Sequence, residues 1–196
     1  LYAVAEDNYQ RQKSTVRTSF KINGDPVVEI DINASYLRIL HGLRGFTIPK
    51  SNDIYGINGL DRIYVKAWVT ATLGFDRFHK SWPKMAIENI KKANLIRPKS
   101  LTMEKVGAMV LEKFPVLADW PTCGIRWSHL MFHESEALMR TIEVLQSRGI
   151  PSLPVHDSLI VPAKHEEVAQ KLLVETFEEE FGVSFIVSVK RNLPAD

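Results

Sequence analysis

Two hydrophobic periods divide this chain into strands and helices. Residues 27–32, Val-Val-Glu-Ile-Asp-Ile, are a β-branched run that reads as a central strand ending in a carboxylate, Asp31. Upstream, Asn23-Gly24-Asp25-Pro26 is a strong turn signal, so 16–22 is expected to pair back on that strand. Asn33-Ala34-Ser35 can then cap a helix with an apolar side of Tyr36, Leu37, Ile39 and Leu40, ending at His41-Gly42. Residues 42–58, rich in Gly, Pro, Ser and Asn, predict a loop.

Helical spacing returns over about 60–73, with Gly74 as its stop, and an aromatic connector follows at 75–83. A short helix or turn is expected at 87–93 and a longer helix at 102–114, where Val106, Met109, Val110 and Phe114 recur before Pro115. The longest is predicted at 128–148. It carries Leu130, Ala137, Leu138, Thr141, Ile142 and Leu145 on one flank, with Gly149-Ile150-Pro151 as terminator.

The next stretch, Pro154-Val-His-Asp-Ser-Leu-Ile-Val-Pro162, reads as two short strands meeting at a tight turn, with the Asp157 carboxylate exposed at the tip. An amphipathic helix at 165–181 and a weakly alternating strand at 183–189 complete the chain. The order strand, helices, hairpin, helix, strand predicts an α+β layer fold with an antiparallel sheet.

Composition narrows this only a little. The 196 residues suffice for one good core, or one domain with a smaller appendage, and 45% hydrophobic with 24% charged residues excludes disorder over most of the length. A net charge of +2 does not demand a polyanionic partner. Its distribution permits one: Arg11, Lys13, Arg17 and Lys21 form one basic cluster, Lys91, Lys92, Arg97, Lys99 and Lys105 another, while Glu178, Glu179 and Glu180 gather the acid. Solvated helix faces are the alternative reading of both clusters.

The lone Cys123 excludes an internal disulfide, and no Cys/His spacing fits structural zinc, so a reducing, cytoplasmic compartment is expected. With no apolar run near the roughly 20 residues a membrane helix needs, and no signal-peptide layout, membrane and secretion are disfavoured. The chain opens on Leu1 rather than Met, the start expected of a domain excised from something longer.

The candidate chemistry is carried by acids at strand ends. Asp31 and Asp157, converging on one sheet edge, would bind hard cations that take oxygen ligands and keep waters, magnesium foremost. Two such ions, about 3.5–4 Å apart, stabilise both the attacking and the leaving oxygen of a phosphoryl transfer. Arg62 and Lys66, four residues apart on one helix face, suit a triphosphate, the first by its fork and the second as a point charge.

These residues, in this order, resemble the three sequence motifs of the family A DNA polymerases and their relatives, the single-subunit phage RNA polymerases. The first is Asp31-Ile-Asn-Ala-Ser-Tyr36-Leu37-Arg38, the second Arg62-x3-Lys66, the third His156-Asp157-Ser158. Asp53-Ile54-Tyr55, Glu112-Lys113-Phe114-Pro115-Val116 and His133-Glu134-Ser135-Glu136 look like family landmarks in the right order, so the resemblance covers most of 16–190. It implies a polymerase palm at 16–45 and 128–196, with reduced helical fingers at about 46–127, all within one domain, 1–196.

The resemblance further implies that Asp31, Asp157 and the Ile32 carbonyl ligate two magnesium ions, and that Arg62 and Lys66 hold the incoming nucleoside triphosphate. Lys66 would also protonate the pyrophosphate. His156 would contact the primer terminus, and Arg38 with the helix near His133 would touch primer or template. Tyr36 occupies the gating position, where a bulky ring predicts selection of deoxynucleotides; Ser158 leans instead towards the RNA polymerase branch. Where the family carries Tyr-Gly beyond the lysine, this chain has Gly74 and Phe75, and Phe75 is the candidate for stacking on the base.

A thumb or proofreading unit is not visible, so further polymerase or replication domains are expected partners alongside primer-template and nucleotide. The resulting expectation is a template-directed nucleotidyltransferase, a DNA polymerase. Its rivals are an inert nucleic-acid-binding module of the same shape and a metal-dependent phosphohydrolase. Taken singly, His133 and Glu134 read as local helix contacts, and Trp68, Trp82, Trp120 and Trp127 as core.

Overall fold

The structure, a computed structural model, describes residues 8–51 and 53–192; the outermost residues of the expected 1–196 domain lie outside it. Its strands are β1 (Lys21–Ile22), β2 (Asp25–Ile32), β3 (Leu153–Val155), β4 (Ser158–Pro162) and β5 (Val187–Arg191). The helices are α1 (Ser14–Arg17), α2 (Ser35–Leu43), α3 (Arg62–Phe75), α4 (Lys84–Lys92), α5 (Met103–Lys113), α6 (Trp127–Ser147) and α7 (Glu166–Phe181). The expected α+β class with an antiparallel sheet is what forms.

Strand β2 is the hub of the sheet. It pairs antiparallel with β1, β4 and β5, and β4 pairs in turn with β3. Because side chains alternate across a strand, Val28, Ile30 and Ile32 point to one face, and Val27, Glu29 and Asp31 to the other. The first set joins Leu159 and Val161 in the main core under α2, α6 and α7. On the second face Val27 packs with Val155 and Ile160 beneath Tyr9, Phe20 and Ile22. Both faces are covered, which is why β2 reads as a nearly unbroken apolar run.

Helices α3, α4 and α5 form a second layer. Its cohesion includes three buried indoles whose N–H groups are all satisfied: Trp68 donates to Met103 O at 3.0 Å, Trp82 to Leu101 O at 3.0 Å and Trp120 to Thr72 O at 2.9 Å. Trp127 departs from the expected core placement, standing 41% exposed at the start of α6.

Four local expectations are corrected. Residues 14–17 are helical and only Lys21–Ile22 pair with β2; the turn of helix lets Arg17 reach back to Glu29. Helix α3 runs through Gly74 and stops at Asp76, which takes the left-handed conformation (φ 50°). The last strand begins at Val187, not 183, since Phe185 is drawn against Phe177 and Phe181 and its N–H donates to Glu178 at 3.0 Å. At the hairpin tip it is His156 that is exposed, whereas Asp157 is half-buried.

Candidate active site

The sheet register brings the two predicted aspartates together. Asp31 lies opposite Ser158 in the β2–β4 ladder, so Asp157 is one residue beyond its partner, and the Ile32 N–H donates to the Asp157 carbonyl at 3.3 Å. The β3–β4 connection is a two-residue turn, His156-Asp157, with His156 at φ 51°. A non-glycine residue held there costs about 1–2 kcal/mol. Ala34 makes the equivalent left-handed turn (φ 56°) between β2 and α2, carrying the chain round the same end of the sheet.

A third carboxylate joins them. Glu134, 6% exposed on α6, is pushed up to about 8 by burial, and the charges of Asp157 and Asp31 add to the shift while the Ser35 hydroxyl opposes it. Burial, then the charge of Asp31, raises Asp157 as well. The Asp31 carboxylate is itself held at both oxygens: Oδ1 accepts from the Ser158 hydroxyl at 3.2 Å, and Oδ2 pairs with the Lys190 ammonium at 3.1 Å.

Across the site stands α3. Its N-terminus is capped by Asp61, whose side chain accepts from the Ile63 N–H at 2.9 Å. Arg62, Lys66, Thr70 and Gly74 then recur along one helical face and, with Tyr36 and Tyr55, line a cleft of about 370 Å³ that also contains Asp31, Ile32, Glu134, His156 and Asp157. The Arg62 Nε donates to Asp53 at 2.7 Å and its guanidinium lies 5.4 Å from the Tyr55 ring centre. Burial pushes the Tyr55 phenol up to about 12, keeping it a neutral donor. Tyr36, Glu134 and His156 also border an adjoining groove of about 430 Å³ between α6 and the hairpin.

The cleft therefore gathers Asp31, Ile32, Tyr36, Arg62, Lys66, His156 and Asp157, but not every predicted residue. Arg38 is fully buried and its guanidinium donates to the carbonyls of Asn33, Ser184 and Ser51, so it pins loops together and has no face left for primer or template. His133 turns away from the cleft to pack edge-on against Phe181 of α7. Phe75 is 58% exposed and borders a different groove, between α3 and α4, although Lys66 and Thr70 reach both.

Glu134 is the cleft residue that reading the sequence missed. The signal was there: it sits four residues after Leu130 and three before Ala137, inside the buried stripe of α6, where an acid needs a reason. Oxygen donors alone, from carboxylates that repel one another, make a site suited to a hard divalent cation that keeps water ligands. Among the described residues no group of three or more His, Cys, Asp or Glu is placed to hold a metal.

The fold and site together define an α+β protein with a carboxylate-and-cation cleft at one end of an antiparallel sheet. No protein-family model matches the sequence, and no curated protein matches it. Among solved structures the chain is similar to the POL domain of Pol1 from M. smegmatis in complex with DNA primer-template and dNTP, at 14% identity and a TM-score of 0.47. That likeness covers 94% of this chain and 44% of the other, so the chain spans less than half the neighbour's length. Among the described residues no helix is long and apolar enough to cross a membrane.

Proposed function

We propose that this chain is a template-directed nucleotidyltransferase, a DNA polymerase that extends a primer 3′-end with two magnesium ions. The observation that carries the reading is the single cleft in which Asp31 and Asp157 face Arg62 and Lys66. In this reading Asp31, Asp157 and the Ile32 carbonyl would hold the metal, which supplies charge stabilisation at the attacking and leaving oxygens. Arg62 and Lys66 grip the triphosphate, and Lys66 donates a proton to the departing pyrophosphate as the new bond to the α-phosphate forms. His156 meets the primer terminus at the mouth of the groove beside α6, and Tyr36 bounds the sugar. The palm would comprise 16–45 and 128–196 and the reduced fingers about 46–127, with further replication domains supplying what this chain lacks.

Primer extension with magnesium tests it. Asp31→Ala and Asp157→Asn are each expected to lower the rate at least about a hundredfold; extension at the wild-type rate by either variant would sink the proposal. The ion pair between Lys190 and Asp31 favours a second reading, an inert nucleic-acid-binding module whose acid is already neutralised. Magnesium-dependent release of pyrophosphate, seen only with primer-template and a nucleoside triphosphate, separates the two.

A further inference from the structure

Lys190 is placed by the architecture of the sheet. The β2–β5 register sets it directly opposite Glu29, with Ser188 opposite Asp31, so all four side chains share one face. Glu29, 1% exposed, accepts from the Lys190 ammonium at 3.0 Å and is clasped from the other side by Arg17 through two bonds of 2.7 and 2.8 Å. A buried carboxylate engaged at both oxygens is a fixed post, and it holds the ammonium 3.1 Å from Asp31 Oδ2. The Lys190 side chain is itself 40% exposed and can shift its head without unmaking the core.

We propose that Lys190 is a built-in counter-ion of the metal site: its ammonium positions the Asp31 carboxylate, occupies Oδ2, and gives way there to an incoming divalent cation. Lys190 thereby sets how readily the site takes up metal. This rests on the reading that Asp31 and Asp157 hold such a cation. An ammonium and a divalent ion compete for the same lone pairs and repel one another at this distance, so removing the lysine charge is expected to tighten uptake of the first cation about tenfold.

The test is a Mn²⁺ titration of the full chain, following free Mn²⁺ by electron paramagnetic resonance. Lys190→Met and Lys190→Gln are expected to bind about tenfold more tightly than wild type, and Lys190→Arg, which keeps the charge, within about twofold of it. Thermal melts check that each variant folds; should Lys190→Met fail, Lys190→Gln, which keeps a polar donor on the Glu29 side of the sheet, decides. Equal or weaker binding by the neutral variants overturns the proposal. If wild type and neutral variants bind equally and Asp157→Asn abolishes binding, the metal reading stands and the role of Lys190 falls. If none of them binds, both fall.

Discussion

Glu134 and Tyr36 are where single residues decide the behaviour of the cleft. With its pKa at about 8, against 4.5 for an ordinary glutamate, Glu134 is a hydrogen-bond donor at neutral pH rather than a third anion. The folded chain then binds this proton more tightly than the unfolded chain, so the stability it contributes is fully present below pH 4.5, falls as pH rises, and is fully lost above about 8. In metal-free buffer, wild type is expected to lose melting temperature between pH 5 and 8 more steeply than Glu134→Gln, which is always neutral; parallel profiles would show that the carboxyl is already ionised. Tyr36 lines both the cleft and the adjoining groove, and in the proposed reading its ring would bound the sugar of the incoming nucleotide. Tyr36→Ala is expected to raise incorporation of ribonucleotides relative to deoxynucleotides by about tenfold or more, measured by primer extension, and unchanged discrimination would remove the gate. Asp31, Asp157, Arg62 and Lys66 were legible because strand ends, turns and helical spacing dictate where such side chains point. Arg38 was not, since nothing in its own segment reveals that Ser184 and Ser51 supply carbonyls for it to bind.

At the scale of elements, neighbouring helices within each layer meet through glycines. A Cβ on Gly107 of α5 would come 2.8 Å from the Trp68 indole nitrogen, and one on Gly42 of α2 would come within 2.6 Å of the Phe181 backbone oxygen and Cβ. An exposed helix would gain up to about 1 kcal/mol from Gly→Ala, but overpacking outweighs that here. Both substitutions are expected to destabilise by about 1–3 kcal/mol in urea unfolding, Gly42→Ala more than Gly107→Ala because backbone cannot step aside as an indole can. A stabilised Gly107→Ala would mean that α3 and α5 pack less closely than described. The same elements show what periodicity reveals. Helices α5 and α6 formed within a residue or so of expectation, their apolar stripes being long and regular. The segments 16–20 and 183–186 differ from the strands expected there because their structure depends on distant partners, Glu29 for the first and the Phe177 and Phe181 rings for the second.

For the whole molecule, the informative contacts are those that join the start of the described chain to the site. The Tyr9 hydroxyl and the Gln10 amide both donate to the Pro154 carbonyl, at 2.9 and 3.1 Å, two residues before His156. Arg17 clasps Glu29, two residues before Asp31. Removing one partner of a buried ion pair costs about 3–5 kcal/mol, and Arg17→Met is expected to fall at the lower end because Lys190 still serves Glu29. Hydrogen exchange provides the check: amides of β2 and β4 should lose protection in that variant while those of α5 keep theirs, and uniform loss would show that the segment supports the fold as a whole. Residues 8–17 thus act as a splint across the sheet, bound to both strands that present the aspartates. Lifting it, whether by a cut near residue 18 or by a competitor for its tyrosine and arginine, would loosen the hairpin and leave Glu29 to Lys190 alone, drawing that ammonium away from Asp31 without touching any residue of α3.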